Sequence, residues 1–143
     1  MTIHQISVFL ENRSGQLADI TATLSENHVD LRAINIAETA DYGVLRLIVD
    51  DAQRASSILL EHGFILTMTP VVAVAVPDRP GGLSEVLGIL SKANIDIEYM
   101  YSVFGQKNGL AYMIFRVSDT AALNAVLEEN GLAAVSGQEL GVH

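Results

Sequence analysis

The chain contains no cysteine, which removes disulfides, thiol nucleophiles and thiolate metal sites from consideration. Cations are scarce as well. Eight Lys and Arg stand against 17 Asp and Glu, a formal net charge of −9, and the pI is near 4.6. Polyanions are bound through clustered Lys and Arg, so nucleic acid is not an expected partner. Long apolar runs are also missing. The longest strongly apolar stretch, Val71 to Val76, falls far short of the roughly 20 residues of a membrane-spanning helix. Yet half of the 143 residues are hydrophobic and mean hydropathy is +0.34, so the surplus is expected in protein contacts and not in a membrane. No Lys or Arg cluster precedes an apolar N-terminal run; no secretory signal is expected, and a cytoplasmic location fits. Catalytic groups are equally thin. His4, His28, His62 and His143 lack the i, i+4 spacing of a metal site, no G-x-S-x-G elbow occurs, and Ser14, Ser84 and Ser102 have no base visible in the sequence. Glu61, Glu128 and Glu129 fall at expected helix ends, where solvated charge is the ordinary explanation. No metal, no cofactor and no enzymatic activity are expected.

What is present is organised around Pro77 Asp78 Arg79 Pro80 Gly81 Gly82 Leu83. This stretch joins an apolar run, Val71 to Val76, to a segment whose Leu83, Val86, Leu87 and Leu90 share one helical stripe. Pro77 cannot donate a ladder hydrogen bond and ends the strand. Asp78 offers an acceptor near the turn, and Pro80 fixes φ close to a helical value, so the helix is expected to start at about Gly81. A helix start carries unpaired N–H groups and the positive end of the dipole. Two glycines there leave these amides unshielded, and a carboxylate or phosphate fits them. The alternative is a well-capped turn with no ligand.

A second copy of the turn lies upstream. Glu11 Asn12 Arg13 Ser14 Gly15 Gln16 Leu17 repeats its grammar, with Asn12 for Asp78, Arg13 for Arg79, Gly15 for Gly81 and Leu17 for Leu83, 66 residues apart. The register persists through Leu24 and Leu90, Val29 and Ile95, Asp30 and Asp96, and Leu31 and Ile97. Two residues are then inserted in the second copy near Gln106 to Gly109. Beyond them Val49 matches Val117, Asp51 matches Asp119, Leu59 matches Leu127 and Gly63 matches Gly131. The chain is a duplication. Repeats of about 65 to 70 residues are near the lower size at which a core stabilises itself, so mutual packing of the copies is expected.

Within each copy the periodicity changes in the same order. Ile3 to Leu10 alternates, with Ile6, Val8 and Leu10 on one face and Gln5, Ser7 and Phe9 on the other, as in a half-buried strand. Gly15 to Asn27 has helical spacing through Leu17, Ile20 and Leu24, and Asn27 suits a C-terminal cap. Leu31 to Glu38 and Val44 to Val49 predict a hairpin across Asp41 Tyr42 Gly43. Asp50 or Asp51 caps a helix carrying Ala55, Ile58 and Leu59, which ends at Gly63 before a short strand, Ile65 to Met68. The second copy gives Val71 to Val76, Gly81 to Ala93, Ile97 to Phe104, Leu110 to Val117, Thr120 to Glu129 and Leu132 to Val135. The fold class is therefore α+β: two ferredoxin-like βαββαβ subdomains in tandem, residues 1–69 and 70–143, each an antiparallel sheet with helices on one face. Thr69 Pro70 is the joint. The second face of Val71, Ala73 and Ala75 is also apolar, which implies that something packs on it, and a homodimer is expected.

The βαββαβ order, with Asp78 Arg79 Pro80 Gly81 Gly82 Leu83 at the first strand-to-helix turn, resembles the ACT domain, a regulatory module that binds small ligands, usually amino acids. The resemblance spans nearly the whole chain as a tandem pair. The first copy departs from the pattern at Asn12 and Ser14. What the resemblance implies is allosteric amino-acid sensing, with ligand lying where the first turn of one domain faces the second strand of a partner domain. Carried over by motif, this places Asn12, Gly15, Gln16 and Leu17 against Tyr101, Ser102 and Val103. It places Asp78, Gly81, Gly82 and Leu83 against Asn35, Ile36 and Ala37.

The residue types themselves suit a zwitterion. Helix-start amides receive a carboxylate, while the Asn12 or Asp78 oxygen and strand carbonyls receive an ammonium; the same two oxygens also suit a local cap. Arg13 and Arg79 are read as solvent-facing, Leu17 and Leu83 as core. Tyr99, Met100, Tyr101 and Phe104 either line an apolar side-chain pocket or serve as core and interface. Two functions follow: a free-standing amino-acid-binding regulator, or a regulatory subunit of an amino-acid biosynthetic enzyme, acetolactate-synthase-like, whose main partner is that enzyme.

Overall fold

The computed structural model describes residues 1–11, 13–38, 42–132 and 134–143. They divide into two compact units, His4–Thr69 with Gly141–His143, and Met1–Ile3 with Pro70–Leu140. Each has the ferredoxin-like plan of an antiparallel sheet with helices packed on one face.

The first unit runs β1 (Ile3–Glu11), α1 (Gln16–Glu26), β2 (Leu31–Glu38), β3 (Tyr42–Val49) and α2 (Ala52–Glu61), and then the opening residues of β4 (Ile65–Pro77). The strand order is β2-β3-β1-β4. β3 pairs antiparallel with both neighbours, Leu47 lying opposite Ile6 on one side and Ile34 on the other. The alternation of β1 turns Ile6, Val8 and Leu10 toward α1 and α2, where they meet Ile20, Leu24, Ala55 and Leu59. Each such side chain, fully buried, contributes about 1.5–3 kcal/mol. Asp51 is the residue that caps α2, accepting from the Arg54 N–H at 3.1 Å. Asp50 instead accepts from the Asp30 and Asp51 amides at 3.1 and 2.9 Å. Asn27 ends α1, but the left-handed residue is His28, φ 56°. The expectation of a half-exposed β1 needs correction, because Gln5 and Ser7 on the other face are buried too. Gln5 Nε2 donates to Ser7 Oγ at 3.0 Å, and that hydroxyl shares a 3.0 Å hydrogen bond with Thr69 Oγ1.

The second unit takes the remainder of β4, then α3 (Gly82–Lys92), β5 (Ile97–Lys107), β6 (Leu110–Val117), α4 (Thr120–Glu129) and the four-residue α5 (Gly137–Leu140). Its order is β4-β6-β5. Val72, Val74, Val76 and Phe115 pack on Val86, Leu90, Leu123 and Leu127. The two inserted residues fall in the β5–β6 hairpin, whose Asn108 and Gly109 both have positive φ, 54° and 72°, as a two-residue turn between twisted strands requires. Val71, Ala73 and Ala75 are buried like their neighbours, so that face is not left bare.

Two expectations about strands are corrected. Ile65 to Met68 and Val71 to Val76 form one 13-residue strand that passes through Thr69 and Pro70. Proline's φ lies within the broad β region, so it does not break an extended segment, and Arg116 Nη1 takes up the Pro70 carbonyl at 2.9 Å. The last strand, expected at 132–135, is reduced to a bridge of Ala134 with Val74 and a 2.8 Å hydrogen bond from the Val135 N–H to the Ala73 carbonyl. Ala133 lies outside the described residues. The chain then turns into α5, where Ser136 Oγ accepts from the Glu139 N–H. Among the described residues no helix is long and apolar enough to cross a membrane.

Candidate functional site

Each strand-to-helix turn ends on a left-handed glycine. Gly15 (φ 85°) caps α1 and Gly81 (φ 87°) caps α3, neither helix having a side-chain cap among the described residues. This explains the glycine at both positions, since other residues reach that region only at a cost. At α3 the Gly82 N–H bonds to the Arg79 carbonyl at 3.0 Å and the Glu85 N–H to Gly81 at 3.0 Å. Between them, the Leu83 and Ser84 N–H groups find no acceptor among the described residues. In α1 the Asp19 N–H bonds to the Gly15 carbonyl at 3.0 Å, and the Leu17 and Ala18 amides are likewise without an acceptor among the described residues.

The two glycines of the second turn do different things. Gly81 faces open space, whereas a Cβ at Gly82 would stand 1.9 Å from the Pro77 carbonyl oxygen. Gly82 is buried and lets α3 close onto the end of β4, and its own N–H is taken by the Arg79 carbonyl. Asp78 is exposed, donates its own N–H to the Gly109 carbonyl at 2.9 Å, and its carboxylate accepts no hydrogen bond among the described residues. Arg79 is exposed but not idle. Its guanidinium meets both Glu85 oxygens, at 3.1 and 3.0 Å, in the first turn of α3.

Of the remaining candidates, Asn12 lies outside the described residues. Gln16 opens α1 and is 7 % exposed, with its Oε1 lacking a hydrogen-bond partner among the described residues. Leu17 and Leu83 pack against the two cores. In β2, Asn35 Oδ1 accepts from Arg46 at 3.0 Å, Ala37 is half-buried and Ile36 is exposed. In β5, Tyr101 and Val103 are buried and Ser102 is exposed. Tyr101 stacks on Tyr99 with ring centroids 6.5 Å apart, Met100 packs into the core, and Phe104 is exposed. Gly15, Gln16, Leu17 and Asn35 to Ala37 thus belong to one unit, and Asp78 to Leu83 and Tyr101 to Val103 to the other.

Two clefts in the first unit involve residues that sequence reasoning passed over. One, of about 280 Å³, is lined by Phe9, Gln16, Tyr42, Phe64 and Ile65 among others. The other, of about 330 Å³, is lined by Arg13, Gln16, Asp19, His62 and Phe64 among others. Gln16 and Phe64 border both. The available signal was divergence between the copies, which is only visible once the repeats are aligned position by position.

Comparison with known proteins places this geometry. Protein BT0572 from Bacteroides thetaiotaomicron, a solved structure, is 38% identical, with 99% of this chain and 96% of that one covered and a TM-score of 0.91. The ligand-free regulatory subunit of aspartate kinase from Thermus thermophilus is 19% identical over 87% of this chain and 91% of that one, with a TM-score of 0.60. Aspartokinase alpha and beta subunits are 13% identical over 91% and 92%, with a TM-score of 0.56; these last two share the fold alone. No curated protein matches. The family model that matches is a regulatory module, and no catalytic family is indicated. It covers residues 1–142, and the chain belongs to the ACT domain pair family.

Proposed function

We propose that the chain is a cytoplasmic regulator that binds a small amino acid or related carboxylate at the starts of α1 and α3. The observation that carries this reading is the repetition, in both units, of a left-handed glycine followed by helix-start amides without an acceptor among the described residues. Such amides, at the positive end of a helix dipole, suit a carboxylate. In this reading residues 1–69 and 70–143 act as the two ligand-binding domains. Asn12, Gly15, Gln16, Leu17, Asn35, Ile36 and Ala37 contribute from the first, and Asp78, Gly81, Leu83, Tyr101, Ser102 and Val103 from the second. Gly82 contributes by seating the helix. The ammonium goes to Asp78 and to strand carbonyls. Thermal-shift measurements across the twenty amino acids test the reading, because a ligand present at a hundred times its Kd stabilises the folded state by about 2.7 kcal/mol. Absence of a shift with every amino acid, together with no calorimetric heat, overturns it.

A second reading, a regulatory subunit of an amino-acid biosynthetic enzyme, is favoured by the fold shared with the regulatory subunit of aspartate kinase from Thermus thermophilus. Reconstitution with candidate enzymes and measurement of amino-acid inhibition separates the two. In either case the working form is a homodimer, supported by exposed Ile36 and Phe104 on the outermost strands β2 and β5. Light scattering showing only monomer at micromolar protein, with and without ligand, counts against it.

A further inference from the structure

The duplication supplies an internal control. At the positions lining the smaller cleft, Phe9, Gln16, Tyr42 and Phe64 in the first copy correspond to Ala75, Gly82, Leu110 and Leu132 in the second. The equivalence of Tyr42 and Leu110 is also structural, because Tyr42 pairs with Glu11 and Leu110 with Pro77 at the corresponding ends of their sheets. Three aromatic rings and an amide have been placed in one copy where the other keeps small or aliphatic residues. Core filling accounts in part for Phe64, which packs against the first core, but not for the others. Phe9, Tyr42 and Ile65 are 41%, 48% and 70% exposed, three of the seven large hydrophobic residues exposed among the described residues. Leaving them in water forgoes burial that the rest of the sequence achieves.

Gln16 is the second observation. It is more than nine-tenths buried, lines this cleft and the polar one beside it, and its Oε1 has no hydrogen-bond partner among the described residues. A buried amide oxygen without a donor carries the cost of its desolvation uncompensated, and an unpaired group of this kind calls for an explanation. The polar cleft adds charge. Glu11 and Asp19 outnumber the single guanidinium of Arg13, which itself lies 3.6 Å from the Glu11 carboxylate. The balance favours a cation.

From this arrangement we propose that the first repeat alone carries a second binding site, for a small aromatic amine whose ring enters the cleft of Phe9, Tyr42, Phe64 and Ile65 and whose N–H donates to Gln16 Oε1. A volume of about 280 Å³ falls just below the roughly 300–1,000 Å³ of drug-sized ligand pockets, which suits a single ring. The site shares Gln16 with the carboxylate reading above but does not rest on it, since its ligand needs no carboxylate and no residue of the second repeat.

The test is amide NMR on the full chain, titrated with 2-phenylethylamine (ring and donor), benzyl methyl ether (ring without donor) and acetamide (donor without ring). The amine is expected to shift Gln16, Gly63, Phe64 and Ile65 with a millimolar or tighter Kd, at least fivefold tighter than the ether, while acetamide leaves these residues unmoved. Gln16→Leu should bring the amine down to the ether's affinity, and Ile65→Ser, at an exposed position, should weaken both ring ligands by a similar factor. Asp78→Ala should leave the amine's Kd unchanged even if it abolishes amino-acid binding. No shift up to 20 mM amine, equal binding of amine and ether, or an unaffected Gln16→Leu overturns the site. So do shifts at Tyr42 and Ile65 that follow protein concentration instead of ligand, which would make the patch an interface between copies.

Discussion

The carbonyl oxygen of Pro77 lies where a side chain at residue 82 would begin: a Cβ on Gly82 comes within 1.9 Å of it. Backbone on both sides leaves no flexible group to yield. Gly82→Ala therefore forces α3 away from the end of β4, and its expected cost is about 3 kcal/mol, the upper end of the overpacking range. Gly88, further along the same helix, has nothing within 4 Å of its missing Cβ. Gly88→Ala should raise stability by about 0.5–1 kcal/mol through helix propensity. Urea denaturation of the two variants should show the same chemical change acting with opposite signs.

The difference between those two glycines marks where sequence reading stops. Helical stripes such as Val86 and Leu90, and the alternation of Ile6, Val8 and Leu10, follow from the 3.6 and 2.0 periods, so the elements and the duplication are legible. Gly81 and Gly82 look alike in a string, yet one is a left-handed residue and the other a point of close approach, a distinction set by an oxygen five residues earlier. Pro70 misleads in the opposite way: it reads as punctuation but fits an extended strand. The Gln16 Oε1 left without a donor among the described residues and the cleft beside Phe64 depend on side chains 48 residues apart, and no local pattern announces them.

Ser7 joins Gln5 and Thr69 through two 3.0 Å hydrogen bonds inside a buried face of the first unit. Ser7→Ala removes both at once and takes from the buried Gln5 amide N–H the hydroxyl it donates to. The expected loss is about 1–3 kcal/mol. Thr69→Ala removes one of the two bonds and should cost less. A double-mutant cycle on Ser7 and Thr69 showing no coupling would mean that the pair is not acting as a hydrogen-bonded unit.

Asp51 and Asp119 occupy the same place in the two copies, each with extended backbone and each accepting an N–H three residues on, at 3.1 and 3.0 Å. Replacing either by alanine should destabilise by about 1 kcal/mol, and replacement by asparagine, which keeps the acceptor, by much less. Asp50 makes no such cap but accepts from the Asp30 amide across the β2 entry. Asp50→Asn should accordingly be milder than Asp51→Ala. Thermal denaturation distinguishes them, and equal losses at all three positions would contradict the capping assignment.

Asp78 and Gly81 allow the proposed carboxylate site to be separated from the fold that carries it. The Asp78 carboxylate is exposed and accepts no hydrogen bond among the described residues, so Asp78→Ala should change stability by no more than about 0.5 kcal/mol. If that carboxylate receives the ammonium of a bound amino acid, the same substitution weakens binding by about 1.5–3 kcal/mol, or roughly 10- to 150-fold in Kd. Gly81 behaves differently. Its surroundings are open, but φ is 87°, so Gly81→Ala should cost about 1–2 kcal/mol of stability from backbone strain alone, while Gly81→Asn, better suited to that conformation, should cost less. A ligand held by the Leu83 and Ser84 amides depends on the turn geometry and tolerates Asn at 81 better than Ala. Calorimetry with the amino acid identified by thermal shift gives the decision: a Kd unchanged in both Asp78→Ala and Gly81→Ala would leave the turn as a capping device and remove the second repeat from the binding site.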